Sequence, residues 1–117
     1  MRAVIQRVLS AKVEIHGRVV GQIGSGILTY VSVGKGDTDA DAGWVAGKIA
    51  GLRIFGDDEG KMNVGGVDAG AQVLAISNFT LHGDCRKGRR PGFDGAAEPA
   101  EAERLYDMVC KLSLIHI

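Results

Sequence analysis

Gln72-Val73-Leu74-Ala75-Ile76-Ser77-Asn78-Phe79-Thr80-Leu81 is the stretch on which the reading of this chain turns. Side chains alternate across a β-strand, so Val73, Ala75, Ser77, Phe79 and Leu81 would share one face and Leu74, Ile76, Asn78 and Thr80 the other. Both faces begin apolar, the pattern of a strand covered on two sides. One face turns polar only at Asn78 and Thr80. That predicts functional groups at the end of a packed sheet, where ligand sites commonly sit; a strand that merely emerges into solvent carries the same pattern.

Working upstream, Arg53-Ile54-Phe55 reads as a short strand that ends at the turn-forming Gly56-Asp57-Asp58-Glu59-Gly60, with Lys61-Met62-Asn63 directly after it. Ala42, Val45, Ala46, Ile49 and Leu52 recur at three- and four-residue steps behind the N-cap candidates Asp37, Thr38 and Asp39, which predicts a helix packed on the sheet. Further back, Ala11 to His16 alternates apolar and polar, with Met1 to Leu9 as its extension. His16-Gly17 is a turn pair, and Val19–Ile23 and Ile27–Val33 are further strands. Downstream, His82 to Ala97 is a glycine-rich basic loop, and Pro99 opens a second helix with Ala102, Leu105, Val109 and Leu112 on its apolar stripe. The fold class expected is therefore α/β, with layered, mostly antiparallel, barrel-like sheets and two helices in one domain.

Composition narrows the possibilities. Hydrophobic residues are 45% and charged residues 24% of the 117, which excludes a disordered chain. Fourteen Lys and Arg against fourteen Asp and Glu exclude a nucleic-acid binder driven by bulk charge, so any RNA contact must be local. No apolar run reaches the roughly 20 residues that span a bilayer, and Cys85 and Cys110 lack metal-ligand or CxxC spacing. A reducing, cytoplasmic location is the expectation, and His16, His82 and His116 are scattered, with no ligand-like spacing to the cysteines.

Five segments in a fixed order carry a resemblance: MRAVIQRV at the start, AKVEI from Ala11, the Gly21–Leu28 segment, RIFGDDEGKMN over Arg53–Asn63, and SNFTL over Ser77–Leu81. Together they resemble the D-aminoacyl-tRNA deacylase family from Met1 to about Lys111. The resemblance implies a homodimer with its active site at the subunit interface and no need of a metal or organic cofactor. The implied reaction is hydrolysis of the ester between a D-amino acid, or mischarged glycine, and the 3′-terminal adenosine of tRNA. Chiral proofreading of translation is the implied role, and an inactive tRNA-binding or dimerisation fragment of the same scaffold is the alternative.

Carried over by position, the resemblance places Ser77, Asn78, Phe79 and Thr80 around the scissile ester, with Asn78 standing where the family has glutamine. Phe79 would act through its backbone N–H as an oxyanion donor. Thr80 would bind rather than attack, because the strand offers its hydroxyl no neighbouring base. The adenosine 2′-hydroxyl would then help to activate water. Gln6, Arg7 and Met62 would form the pocket wall, although a long side chain such as Arg7 equally suits a snorkelling or ion-paired role. Arg86, Lys87, Arg89 and Arg90 suit the phosphates of the tRNA acceptor stem, or equally a solvated loop.

No Gly-Pro pair occurs in the chain, although the family resemblance calls for one after the second helix, so the domain is expected to span 1–111 and to be incomplete at its C-terminus. The Leu-Ser-Leu-Ile-His-Ile tail at 112–117 is expected to be non-native, because it equals the translation of a transposon end used in sequencing libraries.

Overall fold

A computed structural model describes residues 1–116, with side chains through Ser113. It contains seven strands, β1 (Arg2–Val8), β2 (Ala11–Ile15), β3 (Arg18–Ile23), β4 (Gly26–Ser32), β5 (Phe55–Gly56), β6 (Met62–Val64) and β7 (Gln72–Ser77). Two helices, α1 (Asp39–Gly51) and α2 (Pro99–His116), and a 3₁₀ turn at Phe79–His82 complete it. The backbone of α2 carries through residues 112–116, and Ile117, the last residue of the suspected non-native tail, lies outside the described residues.

The architecture is layered. A central sheet of order β1-β4-β7 has α1 and α2 on one face and the β2–β3 hairpin against the other. Its β1–β4 pair is antiparallel and its β4–β7 pair parallel, while β2–β3 and β5–β6 are antiparallel. The mostly antiparallel α/β expectation holds.

Strand β4 is central because its sequence suits burial on both faces. Ile27, Val31 and Val33 face the helices, where they meet Ala42, Val45, Ala46 and Ile49 of α1 and Leu105 and Val109 of α2. Those apolar stripes at helical spacing form the core, and burying each aliphatic side chain stabilises the fold by roughly 1.5–3 kcal/mol. Gly26 begins β4 where a Cβ would stand 2.0 Å from the Gln72 carbonyl oxygen, so only glycine lets β4 and β7 meet there. At the hairpin, His16 and Gly17 have φ of 51° and 78°, the two positive values that a two-residue connection between twisted strands requires. The first turn of α1 is closed by Asp41, whose carboxylate accepts from the Thr38 N–H at 2.8 Å.

Three expectations need correction. Met1–Leu9, read as the extension of the Ala11–His16 strand, is a separate strand: β1 pairs with β4 in the central sheet, whereas β2 pairs with β3 in the hairpin. The strand read as far as Leu81 ends at Ser77, because the Asn78 side chain caps the 3₁₀ turn that follows and so offers the backbone a local partner in place of a ladder. The short strand read at Arg53–Phe55 falls instead at Phe55–Gly56, where it pairs with Met62–Val64. Arg53 anchors this ribbon from outside by donating its Nε to the Asn63 carbonyl at 2.8 Å.

Candidate functional site

Ser77, Asn78, Phe79 and Thr80 are brought together at the end of β7, as their order along the chain requires. What the structure adds is a turn. The Asn78 N–H donates to the Val31 carbonyl at 2.9 Å, which pins the turn to the neighbouring strand β4. Its Oδ1 accepts from the Thr80 N–H at 3.1 Å and from the Thr80 hydroxyl at 2.5 Å. The chain then bends, with the Leu81 N–H on the Asn78 carbonyl and the Gly83 N–H on the Thr80 carbonyl.

Within this turn the Phe79 N–H meets no acceptor among the described residues. Unpaired backbone donors are uncommon in folded proteins except where water or a ligand takes them. The Phe79 ring is 58% exposed and leans edge-on against Phe93, with centroids 5.1 Å apart and an interplanar angle of 71°. Thr80 is exposed, and its hydroxyl proton points to an amide oxygen that cannot act as a base. The binding role expected for Thr80 suits this arrangement.

Two long-range clasps hold the far side of the turn. The Arg2 Nη1 donates to the Leu81 carbonyl at 2.9 Å, and Ser32 Oγ lies 2.5 Å from His82 Nδ1. Behind His82, the Asp37 carboxylate accepts from the Gly34 N–H at 2.6 Å and pairs with the Met1 ammonium at 2.5 Å. Burial opposes the ionisation of Asp37, yet the hydrogen bonds from Met1 and Gly34 outweigh it and hold the carboxyl below its ordinary range. For His82, burial first and then the Arg2 and Met1 charges push the imidazole below its ordinary value, with Asp37 opposing them. Gly34 fits here because a Cβ on it would stand 2.8 Å from His82 Nε2.

The sequence pointed to neither clasp. Arg2 lies 79 residues from Leu81 and Ser32 lies 50 from His82, so no local spacing links them.

The other expected residues lie elsewhere. Gln6 and Arg7 are neighbours on β1 and so point to opposite faces of the sheet. Register places Ser77 beside Val31 and Val31 beside Ala3, whereas Gln6 and Arg7 pair with Leu28 and Ile27. Two strand spacings sideways and three or four residues along put them roughly 14–17 Å from Ser77 within one chain. Arg7 is exposed rather than partly buried, and its Nη1 donates to the Ile54 carbonyl at 2.8 Å, which holds it beside the β5–β6 ribbon that carries Met62. Met62 is itself 68% exposed.

In the basic loop, Arg86 spends its fork on Asp84 through Nε and Nη2, at 3.0 and 2.7 Å to the two carboxylate oxygens. The Arg86 side chain accordingly lowers the Asp84 carboxyl to about 2. Lys87, Arg89 and Arg90 are exposed and have no carboxylate partner among the described residues. Cys85 is an exposed free thiol. Among the described residues no cluster of His, Cys, Asp and Glu could hold a metal ion, and no helix is long and apolar enough to cross a membrane.

Solved structures place this arrangement in a known fold. A probable eukaryotic D-amino acid tRNA deacylase superimposes with a TM-score of 0.78 at 18% identity, over 97% of this chain and 67% of that one. A structure titled c-Myc DNA Unwinding Element Binding Protein superimposes more closely, with a TM-score of 0.91 and 32% identity over 97% of this chain and 76% of the other. The sequence model of the D-Tyr-tRNA(Tyr) deacylase family matches residues 4–114, and the chain belongs to that family. It is 60% identical over 107 residues to the D-aminoacyl-tRNA deacylase of Pelobacter propionicus, covering 92% of this chain and 74% of that protein. The same enzyme of Geobacter sulfurreducens is 59% identical over 107 residues, covering 92% and 70%.

Proposed function

We propose that this chain is a hydrolase that cleaves the ester between a D-amino acid, or mischarged glycine, and the 3′-terminal adenosine of tRNA. Family membership and the relatives named D-aminoacyl-tRNA deacylase support the substrate class. The observation that carries the mechanism is the unpaired Phe79 N–H, held open at the end of β7 by the Asn78 cap. Placed against the ester carbonyl, that donor stabilises the negative charge that grows on oxygen as water attacks, an effect worth about 2.7–4 kcal/mol for one such donor.

Asn78 and Thr80 satisfy each other, so their part is to hold the donor turn and to bound the pocket with Ser77. None of Ser77, Asn78 and Thr80 carries a base that can take a proton from water, and the His82 imidazole at the far end of the turn is engaged with Ser32 Oγ at 2.5 Å. The adenosine 2′-hydroxyl is the group that fills this role, and the protein supplies alignment and the oxyanion contact.

Two copies build the complete pocket in this reading. Among the described residues Ser77 to Thr80 line none of five surface cavities, and Gln6 and Arg7, roughly 14–17 Å from Ser77, stand too far from it to wall the same ester. A second copy laid over the turn would supply that wall, with residues 1–111 as the working domain and the cytoplasm, where tRNA is charged, as its setting. Val4 at 49%, Met62 at 68% and Phe79 at 58% exposure are apolar surface for such an interface.

The deciding experiment incubates the protein with D-tyrosyl-tRNA and L-tyrosyl-tRNA and measures the amino acid released. Faster release of the D-form supports the assignment. Binding of tRNA without release identifies a tRNA-binding module on the same scaffold and defeats the assignment.

A further inference from the structure

We propose that Arg2 is a phosphate ligand for the 3′ end of the RNA substrate, seated in a pocket directly beside the Phe79–His82 turn. The inference rests on the functional reading above and adds a subsite to it. A cavity of about 530 Å³ is lined by Arg2, His82, Gly83, Asp84, Arg86 and Gly95, among others. Arg2 reaches it from the first strand, and its Nη1 bond to the Leu81 carbonyl fixes the guanidinium one residue beyond Thr80. An arginine has five donors in a planar fork, so a single bond to a carbonyl leaves the rest of the fork available for an oxyanion.

Charge accounting favours an anion there. Asp84 is the carboxylate on this wall, and Arg86 already occupies both of its oxygens. Arg2 has no carboxylate partner among the described residues, and its charge acts on both His82 and Asp84, which places it in the pocket's field. Two guanidiniums against one carboxylate leave one positive charge uncompensated. Burial and the Arg2 and Met1 charges disfavour protonation of His82, so the guanidiniums are the main positive groups of this pocket.

A second cavity of about 680 Å³ shares Asp84, Arg86 and Gly95 with it and adds Lys87 and Arg90, together with Asp94. The two cavities adjoin at Asp84, Arg86 and Gly95, and in the second three cations face two carboxylates, so an excess of positive charge extends from the turn along the basic loop. An RNA strand whose terminal ribose lies at the turn would lay its first phosphodiester against Arg2 and its next ones toward Lys87 and Arg90. Phosphate contacts of this kind fix the register of the nucleic acid without reading its sequence.

The test compares two D-tyrosyl esters, D-tyrosyl-tRNA and 3′-O-D-tyrosyl-adenosine, the second of which has no phosphate. Arg2→Gln should lower kcat/KM on the tRNA ester about tenfold more than on the nucleoside ester, the scale of one lost charge-assisted contact. Arg2→Lys, which keeps the charge, should recover much of that difference. An equal loss on both esters would show that Arg2 acts only by holding Leu81, and would overturn the proposal. So would no loss on either ester, or no recovery with lysine.

Should the unaltered protein hydrolyse neither ester, the functional reading fails and binding still judges the subsite. A labelled acceptor-stem RNA ending in CCA is then titrated against increasing salt. Arg2→Gln should weaken its binding and reduce the slope of log Kd against log salt by about 0.7–0.9, one phosphate contact. An unchanged slope would again overturn the proposal.

Discussion

Replacing Asn78 with alanine isolates the turn from the rest of the fold. The substitution removes the Oδ1 acceptor that takes the Thr80 N–H at 3.1 Å and the Thr80 hydroxyl at 2.5 Å, but leaves the Asn78 N–H on the Val31 carbonyl. The turn stays attached to the sheet and loses its cap. Removing such a cap costs about 1 kcal/mol, roughly a fivefold fall in the ratio of correctly formed to misformed turn. Complete loss of the Phe79 donor sets the upper limit, about 10²–10³ in kcat. Asn78→Ala should therefore lower kcat, by no more than that limit of about 10²–10³, with KM changing less. Single-turnover release of D-tyrosine from tRNA reads the rate, and urea unfolding reads the stability. Asn78→Asp preserves the acceptor atoms and should keep the stability, yet its carboxylate opposes the charge growing on the ester oxygen, so kcat should still fall. A capless variant with the expected loss of stability and an unaltered kcat would show that the turn does not present the donor.

Three further outcomes follow from the geometry. Since the folded pKa of His82 lies below its ordinary 6.5, its contribution to stability is present above that pH and is lost as pH falls below it. Thermal melting between about pH 8 and pH 5 should show that decline, and His82→Gln should flatten it. The Asp84 carboxyl should titrate near 2 by NMR and return toward 3.8 in Arg86→Ala; the pairing it reports is intact above 3.8 and lost as pH falls through 2, and an unmoved midpoint in the variant would contradict the assigned cause. Gly26→Ala places a Cβ 2.0 Å from the Gln72 carbonyl oxygen, a backbone clash that should cost about 3 kcal/mol or more in urea unfolding, whereas an unchanged midpoint would mean that β4 and β7 can part freely.

Read alone, the chain disclosed whatever short-range chemistry controls. The apolar stripes of α1 and α2, the His16-Gly17 turn, the basic loop and the grouping of Ser77 with Asn78, Phe79 and Thr80 all depend on residues a few positions apart. Alternation failed past Ser77, because Phe79 and Leu81 extend an apolar pattern that the Asn78 side chain overrides once its amide can bond the backbone of Thr80. Tertiary structure decided the rest. Only the order β1-β4-β7 sets the distance between Gln6 or Arg7 and Ser77, and only the folded sheet brings Arg2 to Leu81 and Ser32 to His82. Such contacts join segments 50 to 79 residues apart through single polar atoms, and a pattern of side-chain periods carries no record of which distant atom will satisfy them.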